Sequence, residues 1–244
     1  MRILILSDIH SNAVALAAVL AAAGSYDQLW NLGDTIGYGP QPNECVELMR
    51  AHATVMIAGN HDLACLGRVD LRDFNPDARS ANIWNGEQLT PDARALLESL
   101  PPLQAIDECA MVAHGSPGNP IWEYLLTRAQ ALENFELFEQ QVCFIGHSHV
   151  PLIFRLSAEG RLDGPTSPDA GRSLLLEPGM RYLINPGSVG QPRNQDPRAA
   201  YAIFDTESRI VQFERITYDV EETQRQMRAV RLPEPLALRL QYGM

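Results

Sequence analysis

The sequence predicts an α/β fold, and three features of it lead there. Short apolar runs alternate with helix-period segments through roughly the first 150 residues. After Pro151 the pattern changes to strands separated by turn residues. Five of the six histidines, His10, His61, His114, His147 and His149, fall in short polar breaks directly after strand-like runs. The repeated arrangement implies that several strand ends converge on one site, as in open sheets whose ligands bind beyond the carboxyl ends of their strands.

Arg2 to Leu6 is a strand of Ile and Leu, and its lack of alternation predicts burial on both faces. Asn12 is placed to cap a helix over Ala13 to Ala23, with Gly24 as the stop. A second strand is expected over Tyr26 to Leu32, a glycine-rich loop over Gly33 to Pro40, and a helix over Pro42 to Ala51. Thr54 to Ala58 is a third strand, running into Gly59-Asn60-His61-Asp62 as an extended strand end. Asp70 to Gln88 is polar and without a clear period, a mixture of helix and loop; Pro91 to Leu100 is an amphipathic helix closed by Pro101-Pro102. Leu103 to Ile106 and Ala110 to Ala113 predict a hairpin, followed by a loop whose Trp122, Tyr124 and Leu125 are expected to form a satellite core cluster. A helix over Arg128 to Leu137 leads to a strand over Val142 to Ile145. Beyond Pro151, strands are expected at Leu152 to Leu156, Ser173 to Leu176, Arg181 to Ile184, Ala199 to Phe204 and Ile210 to Ile216, then a helix over Asp219 to Val230.

With 244 residues, 45% hydrophobic and 20% charged, the chain can bury a sizeable core, and one domain over residues 1–244 is expected. The formal charge of −11 argues against broad attraction to nucleic acid or an anionic membrane. A phosphate ligand would need local positive charge, which bound divalent cations supply. Cys45, Cys65, Cys109 and Cys143 form no Cys-x-x-Cys pair, which suits a reducing compartment. The apolar N-terminal stretch is broken by Asp8 and His10, and Ala13 to Ala23 is too short to span a bilayer, so neither an export signal nor a membrane anchor is read there. A cytoplasmic protein is expected.

The chemistry concentrates in the polar breaks. In Gly146-His147-Ser148-His149 the two histidines stand two apart, and on an extended segment both imidazoles face one point, as a metal ion requires. Asp8 and His10 repeat that spacing. Asp34 is a lone carboxylate among three glycines, and Asn60 and His61 pair a neutral oxygen donor with an acid or base. Collected, Asp8, His10, Asp34, Asn60, His61, His114, His147 and His149 form an oxygen and nitrogen set without sulfur, suited to Mn, Fe, Zn, Ni or Co. The set exceeds the needs of one tetrahedral ion and suffices for two ions sharing a carboxylate.

The ordered motifs Asp8-x-His10, Gly33-Asp34-x-x-Gly37, Gly59-Asn60-His61-Asp62, His114-Gly115 and Gly146-His147-x-His149 resemble those of the calcineurin-like metallophosphoesterase family over residues 1 to about 190. Gly37-Tyr38-Gly39-Pro40 and Asn185-Pro186-Gly187-Ser188-Val189-Gly190 further resemble its bacterial branch of diadenosine-tetraphosphatase-related and small phosphodiesterases. The resemblance implies an αββα sandwich: two mixed sheets with helices outside and a dinuclear metal site at the strand ends. It implies Asp8, His10 and His149 on one divalent ion, Asn60, His114 and His147 on a second, and Asp34 between them. His61 is then the catalytic non-ligand facing the leaving group, and a hydroxide bridging the ions hydrolyses a phosphomonoester or phosphodiester of a small, nucleotide-like substrate. The Asp-Arg-Gly of the Ser/Thr protein phosphatases is replaced here by Gly37-Tyr38-Gly39, which speaks against a protein phosphatase; Arg193 is the candidate to bind phosphate instead, beside Asn60. A non-catalytic interaction scaffold on the same fold is expected to have lost a ligand or the histidine after Asn60, and this chain keeps the set.

Overall fold

The computed structural model describes residues 1–106, 108 and 110–244; Cys109, one of the four cysteines behind the expectation of a reducing compartment, lies outside the described residues. The chain runs β1 (Arg2–Leu6), α1 (Ala13–Ala22), β2 (Gln28–Asn31), α2 (Pro42–His52), β3 (Val55–Met56), α3 (Asn60–Cys65), α4 (Pro76–Gln88), α5 (Pro91–Glu98), β4 (Leu103–Ala105), β5 (Ala110–Ala113), α6 (Arg128–Phe135) and β6 (Val142–Ile145). It continues through β7 (Leu152–Leu156), β8 (Leu162–Thr166), β9 (Arg172–Leu175), β10 (Arg181–Asn185), β11 (Ala199–Asp205), β12 (Ile210–Ile216), α7 (Val220–Ala229) and α8 (Glu234–Leu238).

The strands form two six-stranded mixed sheets, ordered β3-β2-β1-β11-β12-β9 and β4-β5-β6-β10-β7-β8. Each contains three parallel strands, β1 to β3 in the first and β5, β6 and β10 in the second, and antiparallel strands complete it. Strand alternation sorts the core into layers. Ile3 and Ile5 of β1 meet Val142 and Phe144 of β6 between the sheets. Leu4 and Leu6 point outward against Leu16 and Val19 of α1, and Cys143 and Ile145 outward against Phe135 of α6. Both central strands are thus apolar on both faces, and helices cover the outer faces: the αββα sandwich. Among the described residues no helix is long and apolar enough to cross a membrane.

Three expectations need correction. Asn60 and His61 are not an extended strand end; they are the first two residues of α3, with Gly59 as its N-cap. Asp70 to Gln88 is more regular than its composition suggests: one 3-10 turn at Leu71–Asp73, then thirteen residues of helix capped by Asn75, whose side chain accepts from the Ala78 N–H. Strand β8 was not anticipated because it contains Gly164 and Pro165, residues that weaken a strand signal; it lies at the sheet edge, where a proline without an N–H is tolerated.

Candidate metal centre

The eight polar residues singled out in the sequence meet at the carboxyl ends of the parallel strands, each between 0 and 4% exposed. Two groups of ligand atoms lie within 4.8 Å of one another: Asp8, His10, Asp34 and His149, and Asp34, His114 and His147. Asp34 belongs to both. Its Oδ2 is 3.6 Å from His10 Nε2 and 3.4 Å from His114 Nε2. Asp8 Oδ1 is 3.3 Å from His149 Nε2, and Asn60 Oδ1 stands 3.2 Å from His114 Nε2, which brings the amide to the second group. The two histidines of His147-Ser148-His149 therefore do not face one point; they serve adjacent groups. The cause is the backbone: Asp8, His10, Asp34, His147 and His149 all have positive φ, between 50° and 63°, so extended-strand spacing does not apply. Such residues cost about 1–3 kcal/mol each and persist where surrounding structure over-determines them. For Asp8 that structure is β1, whose four buried side chains each contribute about 1.5–3 kcal/mol.

Hydrogen bonds aim the ligand atoms. His10 Nδ1 donates to Ile36 O at 3.3 Å, His114 Nδ1 to Leu32 O at 2.9 Å and His149 Nδ1 to Gln191 O at 2.6 Å. A carbonyl only accepts, so each Nδ1 carries a proton, and wherever the ring is neutral its Nε2 presents its lone pair to the cluster, the tautomer a metal ligand needs. The carboxylates are split in the same way. Asp8 Oδ2 accepts the His147 N–H at 3.1 Å and Asp34 Oδ1 the His61 N–H at 2.8 Å. Among the described residues, Asp8 Oδ1, Asp34 Oδ2 and His147 Nε2 are left buried without a hydrogen-bond partner. His10 Nε2 and His149 Nε2 face each other at 3.0 Å. Unpartnered buried acceptors and opposed lone pairs are costly unless a cation joins them, so these residues fit metal ions.

Burial holds His10 and His149 well below the usual histidine range and pushes His147 down to about 3, the charge of His114 adding to the last shift. Three neutral imidazoles are thereby ready to ligate. Burial likewise pushes Asp8 up to about 7. It opposes ionisation of Asp34 too, but the charges of His114 and His61 outweigh it and hold that carboxyl well below its usual range. The reciprocal charge of Asp34 overcomes burial at His114 and lifts it to about 9.

His61 is outside both groups. Its Nδ1 lies 2.7 Å from Asn82 Oδ1, and its ring packs against Tyr38, His10 and Phe74 at centroid distances of 4.3, 4.9 and 4.9 Å. Burial pushes it down to about 4. Arg193 is half-buried beside the cluster, its N–H donating to His149 O at 3.4 Å and its Nη2 to Tyr38 OH at 3.3 Å. The Trp122 to Leu125 loop divides. Leu125 is buried and Trp122 packs on Phe74 at 5.4 Å, as a satellite core would, but Tyr124 is 44% exposed and stacks on His147 at 4.0 Å.

Sequence reasoning passed over the residues that brace the site. Asp62 ties Ile36 N and Gly59 N at 3.0 and 2.9 Å, and Asn85 takes Ser11 Oγ at 2.5 Å and Gly37 N at 3.2 Å. Asn82 and Asn85 stand three apart on α4, and that spacing, which puts two amides on one helix face, was the available signal.

A buried oxygen and nitrogen cluster at strand ends, on a seam between two mixed sheets, is a site that could hold metal ions. Residues 1–209 match the calcineurin-like phosphoesterase superfamily domain, and the chain belongs to that family. It is 36% identical to the uncharacterized protein MJ0912 of Methanocaldococcus jannaschii, over 99% of this chain and 98% of the relative. A crystal structure of a metallophosphoesterase from Sphaerobacter thermophilus superposes with a TM-score of 0.89 at 47% identity, covering 100% of both chains. A symmetrical bis(5'-nucleosyl)-tetraphosphatase of Pectobacterium carotovorum is 25% identical over 84% of this chain and 76% of its own length. Membership makes the protein a metal-dependent phosphoesterase in general terms, with the Asp and His groups as residues that could hold the metal.

Proposed function

We propose that this protein hydrolyses phosphodiester or phosphomonoester bonds of a small phosphorylated compound, a nucleotide being the favoured class, with two divalent transition-metal ions drawn from Mn, Fe, Zn, Ni and Co. The observation carrying the two-ion reading is Asp34 Oδ2, a buried oxygen without a hydrogen-bond partner among the described residues, on a carboxylate that belongs to both groups of ligand atoms. Asp8, His10 and His149 would hold one ion, Asn60, His114 and His147 the other, and Asp34 both. Metal bound by these residues would supply Lewis acidity, which makes a water nucleophilic at neutral pH and offsets phosphoryl charge. Arg193 binds a phosphate oxygen through its planar fork, and Asn60 orients the phosphate beside it. His61 hydrogen-bonds or protonates the departing oxygen through Nε2, because Nδ1 is engaged by Asn82. To protonate that oxygen the ring must be the imidazolium, which keeps Nδ1–H on Asn82 Oδ1 as it gives up the Nε2 proton. A neutral ring can hydrogen-bond it through Nε2–H if the Asn82 amide turns so that Nδ2, without a hydrogen-bond partner among the described residues, donates to Nδ1. The nucleotide class draws support from the tetraphosphatase relative. We further place the protein in the cytoplasm, acting as one domain over residues 1–244.

The test is a panel of a phosphomonoester, an activated diester, cyclic nucleotides and dinucleoside polyphosphates, each with Mn, Zn, Fe, Ni and Mg. Hydrolysis of the activated diester with Mn is the expected result. Failure to turn over every compound with every metal would overturn the enzymatic reading in favour of a scaffold.

A further inference from the structure

The turn that carries Arg193 rests on a segment from far along the chain. Arg193 spends Nε and Nη2 on Gln191 Oε1, at 3.3 and 2.9 Å, and Nη2 also on Tyr38 OH at 3.3 Å; Nη1 has no hydrogen-bond partner among the described residues. The two ends of the turn are tied to the body of the protein. Arg193 N donates to His149 O at 3.4 Å, and Asp196 accepts from Arg198 Nε at 2.9 and 3.1 Å and lies 3.6 Å from Arg215 Nε. Between them, Gln195 has φ +66°. A non-glycine residue in that region costs about 1–3 kcal/mol and stays there only where its surroundings hold it. Burial does not hold it, because Gln195 is exposed. What it does have is a main-chain hydrogen bond, N–H to Gly243 O at 2.9 Å.

The segment that supplies Gly243 is itself fixed. Leu236, Ala237 and Leu240 pack with Tyr38, Phe74 and Met227 in one buried cluster, and Gln224 Nε2 donates to Ala237 O at 2.9 Å. Gly243 ends the 3-10 turn Arg239–Tyr242 in a left-handed conformation, φ 64°. Its fit against the Arg193 turn is close, since a Cβ at Gly243 would stand 2.6–2.7 Å from the backbone N, C and O of Asp196. A second contact joins the same two parts through one ring: Arg239 Cζ lies 6.0 Å and Arg193 Cζ 5.8 Å from the centroid of Tyr38, whose hydroxyl accepts from Arg193. The segment thus meets the Arg193 turn at its backbone and at the side chain that aims its guanidinium. All of it lies past residue 209, where the family match stops.

We propose that the stretch from Leu236 to Gly243 is a positioning part of the site, with Gly243 as its key residue: it holds the Arg193 turn in its left-handed form and so sets the affinity for phosphate without touching it. The inference rests on the phosphate role given to Arg193. A guanidinium binds a phosphate oxygen through directional, charge-assisted hydrogen bonds, so a turn free to relax at Gln195 weakens the contact even though the arginine is still present.

The test is calorimetric titration of the metal-loaded full chain with methylphosphonate, which carries one phosphoryl group and is not hydrolysed, with elemental analysis and a thermal melt on each protein. Arg193→Ala should weaken binding about ten-fold or more, the loss of a hydrogen bond to a charged group. Gly243→Ala should weaken it about three- to ten-fold at unchanged metal content. Combined with Arg193→Ala, Gly243→Ala should add nothing further, because it acts through the arginine; a loss of stability alone would add in full. Leu240→Ala, which loosens the segment from the Tyr38 cluster, should act in the same direction and decides the matter if Gly243→Ala does not fold. Gly179→Ala, at φ +76° with nothing within 4 Å of the added carbon, should bind as the unmodified protein does. Undiminished affinity in a folded Gly243→Ala or Leu240→Ala protein, or a loss that persists in full on top of Arg193→Ala, would overturn the inference. Undiminished affinity in Arg193→Ala itself would remove the phosphate role of that residue and the inference with it, and is recognised because Gly243 is intact in that variant. Absence of turnover in the substrate panel is a separate result, which bears on the phosphoesterase reading and leaves these affinities measurable.

Discussion

Two histidines of this site differ by what their ring nitrogens touch, and that difference predicts how their loss is felt. His114 has Nδ1 on a carbonyl and Nε2 among Asp34 and Asn60, so it is built as a ligand. His61 has Nδ1 on Asn82 and lies outside both ligand groups. His61→Asn should keep the metal content of the unmodified protein while kcat falls by roughly 10²–10⁴. That loss should shrink for acidic leaving groups such as nitrophenolate, which need little protonation. His114→Asn should lose metal first and activity as a result. Elemental analysis with leaving-group kinetics separates the two: a metal-depleted His61→Asn, or one slowed equally for every leaving group, contradicts its role. At this scale the identity of the cluster was legible in the sequence, because each member follows a strand-like run. The pairing of the members was not, because left-handed backbone at Asp8, His10, Asp34, His147 and His149 carries no compositional mark when the residues are not glycine.

At the scale of elements, the join between β3 and α3 sets the bridge between the ligand groups. Gly59 caps α3, and a Cβ at this position would overlap Asp34 Oδ1, the oxygen that accepts the His61 N–H. Gly59→Ala should therefore destabilise the fold by about 1–3 kcal/mol and lower metal content together. Gly24→Ala provides the contrast, since Gly24 has φ +69° but nothing within 4 Å of the added carbon. It should cost backbone strain and leave metal content intact. Thermal melts with metal analysis on both decide the matter; a Gly59→Ala protein with full metal content would show that the Asp34 carboxylate is free to move. Strand and helix positions were largely recoverable from periodicity, with β6, β7 and β12 matching residue for residue. Where periodicity misled, at Asn60–His61 and over α4, the deciding features were an N-cap glycine and asparagine amides that hydrogen-bond loops far away in sequence.

For the whole molecule, the ligand groups straddle the seam between the sheets. Asp8, His10, Asp34 and Asn60 follow strands of the first sheet, and His114, His147 and His149 strands of the second. Cations at this site therefore link the two layers, and a ligand that binds only the folded state stabilises it by mass action. Metal held at a hundred times its dissociation constant contributes about 2.7 kcal/mol. At roughly 2–4 °C per kcal/mol for a chain of this size, chelation should lower Tm by roughly 5–11 °C, and restoring the ion should reverse it. An unchanged Tm in the chelated protein would argue that the site holds no tightly bound metal. The division into strand-helix alternation and a β-rich second half was readable from the sequence; which strands share a sheet was not, because β1 finds its antiparallel neighbour in β11, far along the chain.

That pairing has a consequence for how the protein is made. Arg2 to Ile5 register with Asp205 to Ala202, so the central strand of the first sheet stays without its antiparallel neighbour until nearly the whole chain has left the ribosome. The second sheet, formed from β4 to β8 and β10, is complete in sequence before then. Synthesis thus delivers the carboxylates and imidazoles early and the scaffold that holds Asp8 in its strained conformation late. Contacts of such long sequence separation close slowly, and the unpaired edge of β1 is exposed to chaperones and to neighbouring chains throughout that interval.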